Sequence, residues 1–236
     1  MEIKRRKNIA ILLAAGKSER MKMNIYKQFI KINNRFLYEF SIRNFIDVEL
    51  IDEIVLVINK EHYEKVKEFI NIKYKSVHLC VGGSDRAESL NNGINYVKSL
   101  FYKEFDNINI ISHDVARPFV SRKIIEENVK ALDVNDVVNT VYPSSDSLAM
   151  IEERKTIGYP NRSLYYQVQT PQSFRLDKYI IANFRKIEKH HEINDVIKMF
   201  YLNDFDIYNT YGEKINFKIT DQTDLTIAKA IVKSEI

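Results

Sequence analysis

Four places in the chain carry residues whose types and spacing could do chemistry. Ala14-Ala15-Gly16 ends a continuous apolar run, Ile9 to Leu13, and is followed by two cations, Arg20 and Lys27. Gly82-Gly83 ends a second apolar run, Val77 to Val81. His113-Asp114 ends a third, with Arg117 three residues on, and Lys218 stands late in the chain. Small residues and glycines let backbone N–H groups approach a ligand closely. Spaced cations beside such backbone suit the oxygens of a phosphate chain. Asp114 is a single carboxylate, and a hard divalent ion such as Mg²⁺ typically takes one or two carboxylates and leaves its other positions to waters and phosphates. No covalent nucleophile is paired with a base: Cys80 sits in an apolar context, and no Ser stands visibly with a His. The set fits reactions at phosphorus, where positioning and charge stabilisation do most of the work.

Competing chemistries find less support. Gly16-Lys17-Ser18-Glu19-Arg20 is neither G-x-G-x-x-G nor a Walker A sequence, which argues against NAD and P-loop sites. His190-His191-Glu192 follows a charged helical stretch and reads as an exposed helix end rather than a metal site. His113 suits either a catalytic base or a ring that orients the loop. From the first loop alone, an ordinary strand-to-loop junction with solvated charges would look the same.

The elements between these places decide the matter. Ile9 to Leu13 fits a strand buried on both faces of a parallel sheet. The pattern predicts helix over Phe36 to Phe45, strand over Ile51 to Ile58 and an amphipathic helix over Glu61 to Ile70. Strand Val77 to Val81, helix Arg86 to Leu100 and strand Asn107 to Ser112 follow. Ser121 reads as the N-cap of a helix Arg122 to Leu132, before strand Val137 to Val141. Pro143 to Pro160 breaks the rhythm and predicts a β-hairpin arm whose few apolar residues need a partner surface. Helices Asp177 to Lys189 and Asn194 to Leu202, strands Asp206 to Thr210 and Ile215 to Ile219, and a last helix from Asp221 complete the chain. Leu164 to Phe174 is assigned no element. Alternating strands and helices predict an open α/β sheet, and ligands in such sheets bind beyond the strand C-terminal ends. Ala14-Ala15-Gly16, Gly82-Gly83 and His113-Asp114 therefore belong on one rim.

The 236 residues suffice for a single domain, 1–236, with 143–163 as an arm within it. Hydrophobic residues make up 45% and charged residues 29%, as in ordinary globular chains. The net charge is +4, but basic and acidic residues are interleaved, and Lys4-Arg5-Arg6-Lys7 reads as a solvated lead-in. There is no basic-aromatic interleaving, so no nucleic-acid partner is expected. A lone cysteine, no apolar run of membrane-spanning length and no signal-peptide apolar segment predict a cytoplasmic protein without membrane attachment.

Five stretches in order carry a family resemblance. They are Leu13-Ala14-Ala15-Gly16 with Arg20-Met21 and Lys27-Gln28-Phe29; Gly82-Gly83-Ser84-Asp85-Arg86 with Ser89; His113-Asp114-Val115-Ala116-Arg117-Pro118; Gln169-Thr170-Pro171-Gln172; and Phe217-Lys218-Ile219-Thr220 with Asp224-Leu225. From about Ile9 to Val232 the chain resembles the cytidylyltransferases that form 4-diphosphocytidyl-methylerythritol and their relatives that form CDP-ribitol. The resemblance implies a Rossmann-like, open, mostly parallel sheet flanked by helices, with the protruding β-arm used to form a homodimer. It implies CTP plus a polyol phosphate giving a CDP-polyol and pyrophosphate, with Mg²⁺ as cofactor. Arg20, Lys27 and Lys218 would then be catalytic. Ala14, Ala15, Gly16, Gly82, Gly83, Ser89 and Asp114 would hold the nucleotide, and Asp114 would also meet the metal. Arg117, Ser147, Arg162 and Thr170 match positions that bind the polyol phosphate, Ser147 and Arg162 reaching across from the partner's arm.

The chain departs from the family pattern at Ser18, where Gly is usual, at Tyr26, where Pro is usual, and at Ser147, where Thr is usual. Asn194-Asp195-Val196-Ile197 stands where the methylerythritol enzymes are rich in Asp and Ala. Gly82 to Arg86 and Gln169 to Phe174 look closer to the ribitol-phosphate enzymes, and Asn92-Gly93-Ile94 to the others. On this basis ribitol 5-phosphate is the favoured acceptor and methylerythritol 4-phosphate the alternative. A CTP-binding protein without catalysis is a third reading.

Overall fold

The computed structural model describes residues 5–16, 26–102, 104–184 and 195–234. Arg20, Ser18 and the His190-His191-Glu192 run lie outside the described residues. In chain order the elements are β1 (Lys7–Ala14), β2 (Lys31–Ile32), β3 (Arg35–Phe36), α1 (Leu37–Ile46), β4 (Glu53–Ile58), α2 (Tyr63–Lys73), β5 (Val77–Val81) and α3 (Arg86–Leu100). Then come β6 (Ile108–Asp114), α4 (Arg122–Ala131), β7 (Val137–Pro143), β8 (Met150–Glu152), β9 (Lys155–Gly158), β10 (Tyr166–Arg175), α5 (Leu176–Phe184), α6 (Val196–Tyr201), β11 (Tyr208–Tyr211) and α7 (Gln222–Ser234).

Among the described residues the main sheet has the order β11-β7-β10-β6-β1-β4-β5. Its pairings are parallel except those of β10, which runs antiparallel to both β6 and β7. The fold is α/β, Rossmann-like, with helices on both faces. β1 shows why its apolar run is continuous. Ala10, Leu12 and Ala14 face the layer of α1, α2 and α4, whereas Ile9, Ile11 and Leu13 face the layer of α3, α5 and α6. A strand covered on both sides has no face to give to polar residues. A third apolar cluster seats α7 through Leu225, Ala228 and Val232 against Ile30, Ile32, Leu37 and Ile219.

The chain runs from β1 to β4 and β5 on one side, then crosses back to β6 on the other side of β1. That reversal opens a crevice at the C-terminal ends of β1 and β6. The lead-in is tied down: Arg5 pairs with Asp52, and Arg6 with Asp177 at 3.4 Å. Ser121 caps α4 as expected, its hydroxyl accepting from the Ile124 N–H. Cys80 is buried, and burial pushes its thiol up to about 11, in keeping with a core residue.

Two expectations need correction. Leu164 to Phe174 contains most of β10, which lies inside the sheet. Pro171 lacks a ladder donor, and the strand accommodates it with an irregularity between Val168 and Gln172, at a cis Thr170-Pro171 peptide. Ile215 to Ile219 is not a strand but an irregular strap before α7, which pairs with no neighbouring strand. Single bonds hold it instead, such as Ile219 N–H to Ala116 O at 2.8 Å.

The arm emerges as the β8–β9 hairpin. Ile151, Ile157, Tyr159 and Leu164 are exposed along it, and Tyr166, Val168 and Tyr211 are exposed at its base. No helix among the described residues is long and apolar enough to cross a membrane.

Close packing of α3 on the sheet generates a test. A Cβ at Gly93 would lie 2.9 Å from Ile11 Cγ2 and 3.0 Å from Val57 Cγ2, both on stiff β-branched side chains. In an exposed helix Gly→Ala would stabilise by about 1 kcal/mol. Here Gly93→Ala is expected to destabilise by about 1–3 kcal/mol, read from urea unfolding, because the core cannot give way cheaply. A stabilised variant would mean that α3 can move off the sheet.

Candidate active site

The crevice at the strand reversal is lined by Ala14, Ala15, Gly16, Lys27, Gly83, Ser89, Asp114 and Lys218, among others, and encloses about 330 Å³. Parallel pairing sets Leu13 opposite Asp114, and Val115 N–H donates to Leu13 O at 3.2 Å. The ends of β1 and β6 are thereby locked in register. β5 delivers the second wall. A Cβ at Gly82 would sit 2.5 Å from Ala15 Cβ, so glycine permits the two loops to approach. Gly83 N–H donates to Ser89 Oγ at 3.1 Å, and Asp85 caps α3 by accepting from Glu88 N–H at 2.8 Å. The N-terminus of α3 faces the crevice, adding its positive dipole end to the cations there.

Lys27 begins a short helical turn, Lys27–Phe29, preceded by Tyr26 at φ −61°. That is the value a proline would lock, so tyrosine keeps the backbone path at this departure from the family pattern. The Tyr26 hydroxyl donates to Glu61 at 2.9 Å and Phe29 stacks on His62, fastening the turn to the start of α2. Lys27 Nζ lies 3.5 Å from Ile219 O on the strap.

Asp114 is the electrostatic centre. It is only 8% exposed, and burial alone would push its carboxyl up. Arg86 Nε donates to Oδ1 at 3.0 Å and Lys218 Nζ to Oδ2 at 2.7 Å, and these cations hold it well below the usual carboxylate range. Arg86 also donates to Gln172 Oε1 at 2.9 Å, and Gln172 Nε2 donates to Asp195, the N-cap of α6. Lys218 is aimed by its strap. Ile219 is bonded to Ala116, and Thr220 donates from N and Oγ1 to Asp224 Oδ2 at 2.7 and 2.6 Å.

On the other side of Asp114, Arg117 donates to Asn216 O at 2.8 Å and to Val168 O at 3.1 Å. Thr170 is 4% exposed and lies between His113 and Asp114. Burial pushes the His113 imidazole down to about 4, so the ring is neutral near pH 7.

The structure thus gathers Ala14, Ala15, Gly16, Lys27, Gly83, Ser89, Asp114 and Lys218 around one cavity. Gly82 supports its wall, and Arg117 and Thr170 stand behind Asp114 without lining it. Ser147 and Arg162 lie on the exposed arm, where Arg162 donates to Ser145 O at 3.0 Å. Arg20 lies outside the described residues. Sequence reasoning gave no role to Arg86, Gln172, Asp195 or Asn216. Arg86 and Gln172 were visible within the motif stretches, but nothing in a one-dimensional pattern joins residues 86, 114, 172 and 195.

Among the described residues no three or more His, Cys, Asp or Glu side chains gather to hold a metal. One carboxylate facing a phosphate-sized cradle does suit Mg²⁺, which keeps most of its ligands from water and phosphates. Asp114 would be its protein ligand and would divide its carboxylate between the ion and the Lys218 ammonium.

The sequence of residues 8–234 matches the family model of 2-C-methyl-D-erythritol 4-phosphate cytidylyltransferase. An enzyme of that description from Thermosipho melanesiensis is 32% identical over 92% of this chain and 94% of its own length. A ribitol-5-phosphate cytidylyltransferase from Lactiplantibacillus plantarum is 33% identical over 95% of this chain and 97% of its own. Among solved structures, the 4-diphosphocytidyl-2C-methyl-D-erythritol synthase of Anaerococcus prevotii superposes with a TM-score of 0.83 at 25% identity, over 97% of this chain and 96% of that one. A glycine-walled crevice carrying one clamped carboxylate and converging cations is thus found in a chain that belongs to the 2-C-methyl-D-erythritol 4-phosphate cytidylyltransferase family of nucleotidyltransferases.

Proposed function

We propose that the protein transfers the cytidylyl group of CTP to a polyol phosphate. The observation that carries this reading is Asp114, a buried carboxylate clamped by Arg86 and Lys218 on the floor of the crevice. Its clamp leaves Lys218, with Lys27 opposite, beside the space a triphosphate would fill. A phosphate oxygen of the acceptor attacks the α-phosphorus of CTP in line. The new O–P bond forms as the α–β phosphoanhydride bond breaks, and its electron pair leaves with pyrophosphate. Charge builds on the α-phosphate and on the leaving group. Lys27 and Lys218 stabilise it, and Arg20 joins them by the family pattern. The loop of Ala14, Ala15 and Gly16, with Gly82, Gly83 and Ser89, takes the nucleoside and its phosphates. Mg²⁺, when bound, neutralises phosphate charge.

For the acceptor, the family model and the Thermosipho melanesiensis relative support methylerythritol 4-phosphate. The Lactiplantibacillus plantarum relative and the motifs Gly82 to Arg86 and Gln169 to Phe174 support ribitol 5-phosphate. The first has the wider backing and heads the test. Arg117 and Thr170 stand on the acceptor side of Asp114, and Ser147 and Arg162 would reach a neighbour's site from the arm. The apolar side chains exposed along the arm support a homodimer, because a patch of that kind on a monomer marks an interaction surface.

Pyrophosphate release from CTP and Mg²⁺ across a panel of polyol phosphates is expected with one of these two acceptors. No release with any member, from folded dimer, would sink the reading. EDTA is expected to abolish turnover and Mg²⁺ to restore it; full activity in EDTA would remove the metal from the scheme. For Lys27→Ala, kcat is expected to fall about 100-fold or more, as for loss of other transition-state charge stabilisers. A near-normal kcat would take Lys27 out of that role.

A further inference from the structure

Lys27 and Lys218 come from opposite ends of the chain, yet one short strap meets both. Lys218 Nζ reaches from it to Asp114 Oδ2 at 2.7 Å, and the carbonyl oxygen of the next residue, Ile219, lies 3.5 Å from Lys27 Nζ. The strap pairs with no neighbouring strand, so separate contacts must fix it. On one side the Ile219 N–H donates to Ala116 O at 2.8 Å, and the fully buried Ile219 side chain joins Leu225 and Ala228 of α7 in one apolar cluster. On the other side the bonds converge on Asp224, in the first turn of α7.

Asp224 does more than cap a helix. It forms a reciprocal pair with Asp221: its N–H donates to Asp221 Oδ1 at 3.0 Å, and its Oδ2 accepts from the Asp221 N–H at 3.2 Å. A pair of that kind satisfies the open N–H groups at a helix start. The two shorter bonds to Oδ2 come from outside the pair. The Thr220 N–H donates at 2.7 Å and the Thr220 hydroxyl at 2.6 Å, one residue up the strap. Bonds to a charged acceptor are the strong ones. Burial would push the Asp224 carboxyl up, but the Thr220 and Asp221 donors and the nearby Lys27 charge hold it below its ordinary value. Thr220 and Lys218 line the crevice, whereas Asp224 stands behind them.

Resting on the cytidylyl-transfer reading, we propose that Asp224 is a positioning residue for both lysines. Through Thr220 it fixes the strap, so that the Lys218 backbone and the Ile219 carbonyl stay in place. The two ammonium groups then converge on the charge that builds during transfer. Asp224 itself touches neither substrate. Stabilisation of that kind depends on groups held in advance, and a displacement of about 1 Å can cost about 100-fold in rate.

The test compares variants on either side of the helix start, with a melting temperature for each. In Asp224→Ala, kcat is expected to fall about 10- to 100-fold with KM for CTP little changed, the pattern of an interaction lost in the transition state. Asp224→Asn keeps an acceptor oxygen, and Asn and Asp cap about equally well, so it is expected to recover most of that loss. Asp221→Ala breaks the reciprocal pair but leaves both Thr220 bonds. It is expected to lower Tm while kcat stays near the wild-type value. A fall in kcat as large as that of Asp224→Ala would assign the effect to the helix start and overturn the proposal. So would a normal kcat in folded Asp224→Ala, or an Asp224→Asn variant as slow as the alanine one. In a Lys218→Ala background, Asp224→Ala should cost much less than in the wild type, because one of the groups it aims is gone; an equal cost would also refute the proposal. Amide hydrogen exchange supplies a readout that needs no turnover. The Ile219 and Thr220 amides are expected to exchange slowly in the wild type and to lose that protection in Asp224→Ala. Exchange as fast as that of unbonded amides in the wild type would refute the anchor without any variant. Wild-type protein inactive on every acceptor would instead sink the transfer reading, while the exchange result still decides whether Asp224 holds the strap.

Discussion

The Asp114 carboxylate is buried at the end of β6, and a buried charge must be paired. Much else follows from that requirement. One oxygen brings Arg86 from the start of α3, the other brings Lys218 from the strap before α7. Segments more than a hundred residues apart in the chain meet on one side chain. Removing either cation would strip one carboxylate oxygen of its partner in a site of low dielectric, so the pairings hold these segments in place as well as stabilising them. The arrangement also prepares the crevice for a polyanion. One negative group is outnumbered by the cations around it, and those cations need little rearrangement to meet phosphate oxygens.

The sheet makes this possible by its connectivity. Because the chain goes from β1 to β4 and β5 and then returns to β6, the ends of β1 and β6 lie beside one another with no crossover between them. The register of Leu13 against Asp114 sets their depth. Gly82 then lets the end of β5 close on Ala15, where any larger residue would collide. The wall of the crevice is thus a consequence of backbone spacing. Its floor is a consequence of charge pairing.

β10 contributes the least expected part. It threads between two parallel partners in the opposite direction, and its irregular stretch, Gln169 to Pro171, leaves the ladder. The groups released there are satisfied by side chains from distant parts of the chain. Thr140 Oγ1 donates to Pro171 O at 2.6 Å, and Asn216 Nδ2 donates to Thr170 O and to Gln169 Oε1. This break in the strand brings Thr170 against His113, and Gln172 against Arg86. An interruption of regular structure beside a site is a common way to re-aim side chains.

Much of the fold was legible in the residues alone. Val77 to Val81 and Arg86 to Leu100 have the same bounds in sequence reading and structure, because one is a short apolar run and the other a clear amphipathic stripe. The rim of small residues, glycines and Asp114 was also legible, since each follows a buried strand and strand ends in such sheets share an edge. β10 was not legible, because its polar residues and Pro171 hide a strand whose polar groups are satisfied by distant partners. Nor was the strap of Lys218, where Ile215 to Ile219 resembles a strand but finds no neighbour to pair with. Local pattern reports burial and backbone preference, which act over a few residues. What pairs with a buried charge is decided by contacts across the whole chain, so only the tertiary structure assigned Arg86 and Lys218 to Asp114 and joined Thr170 to His113.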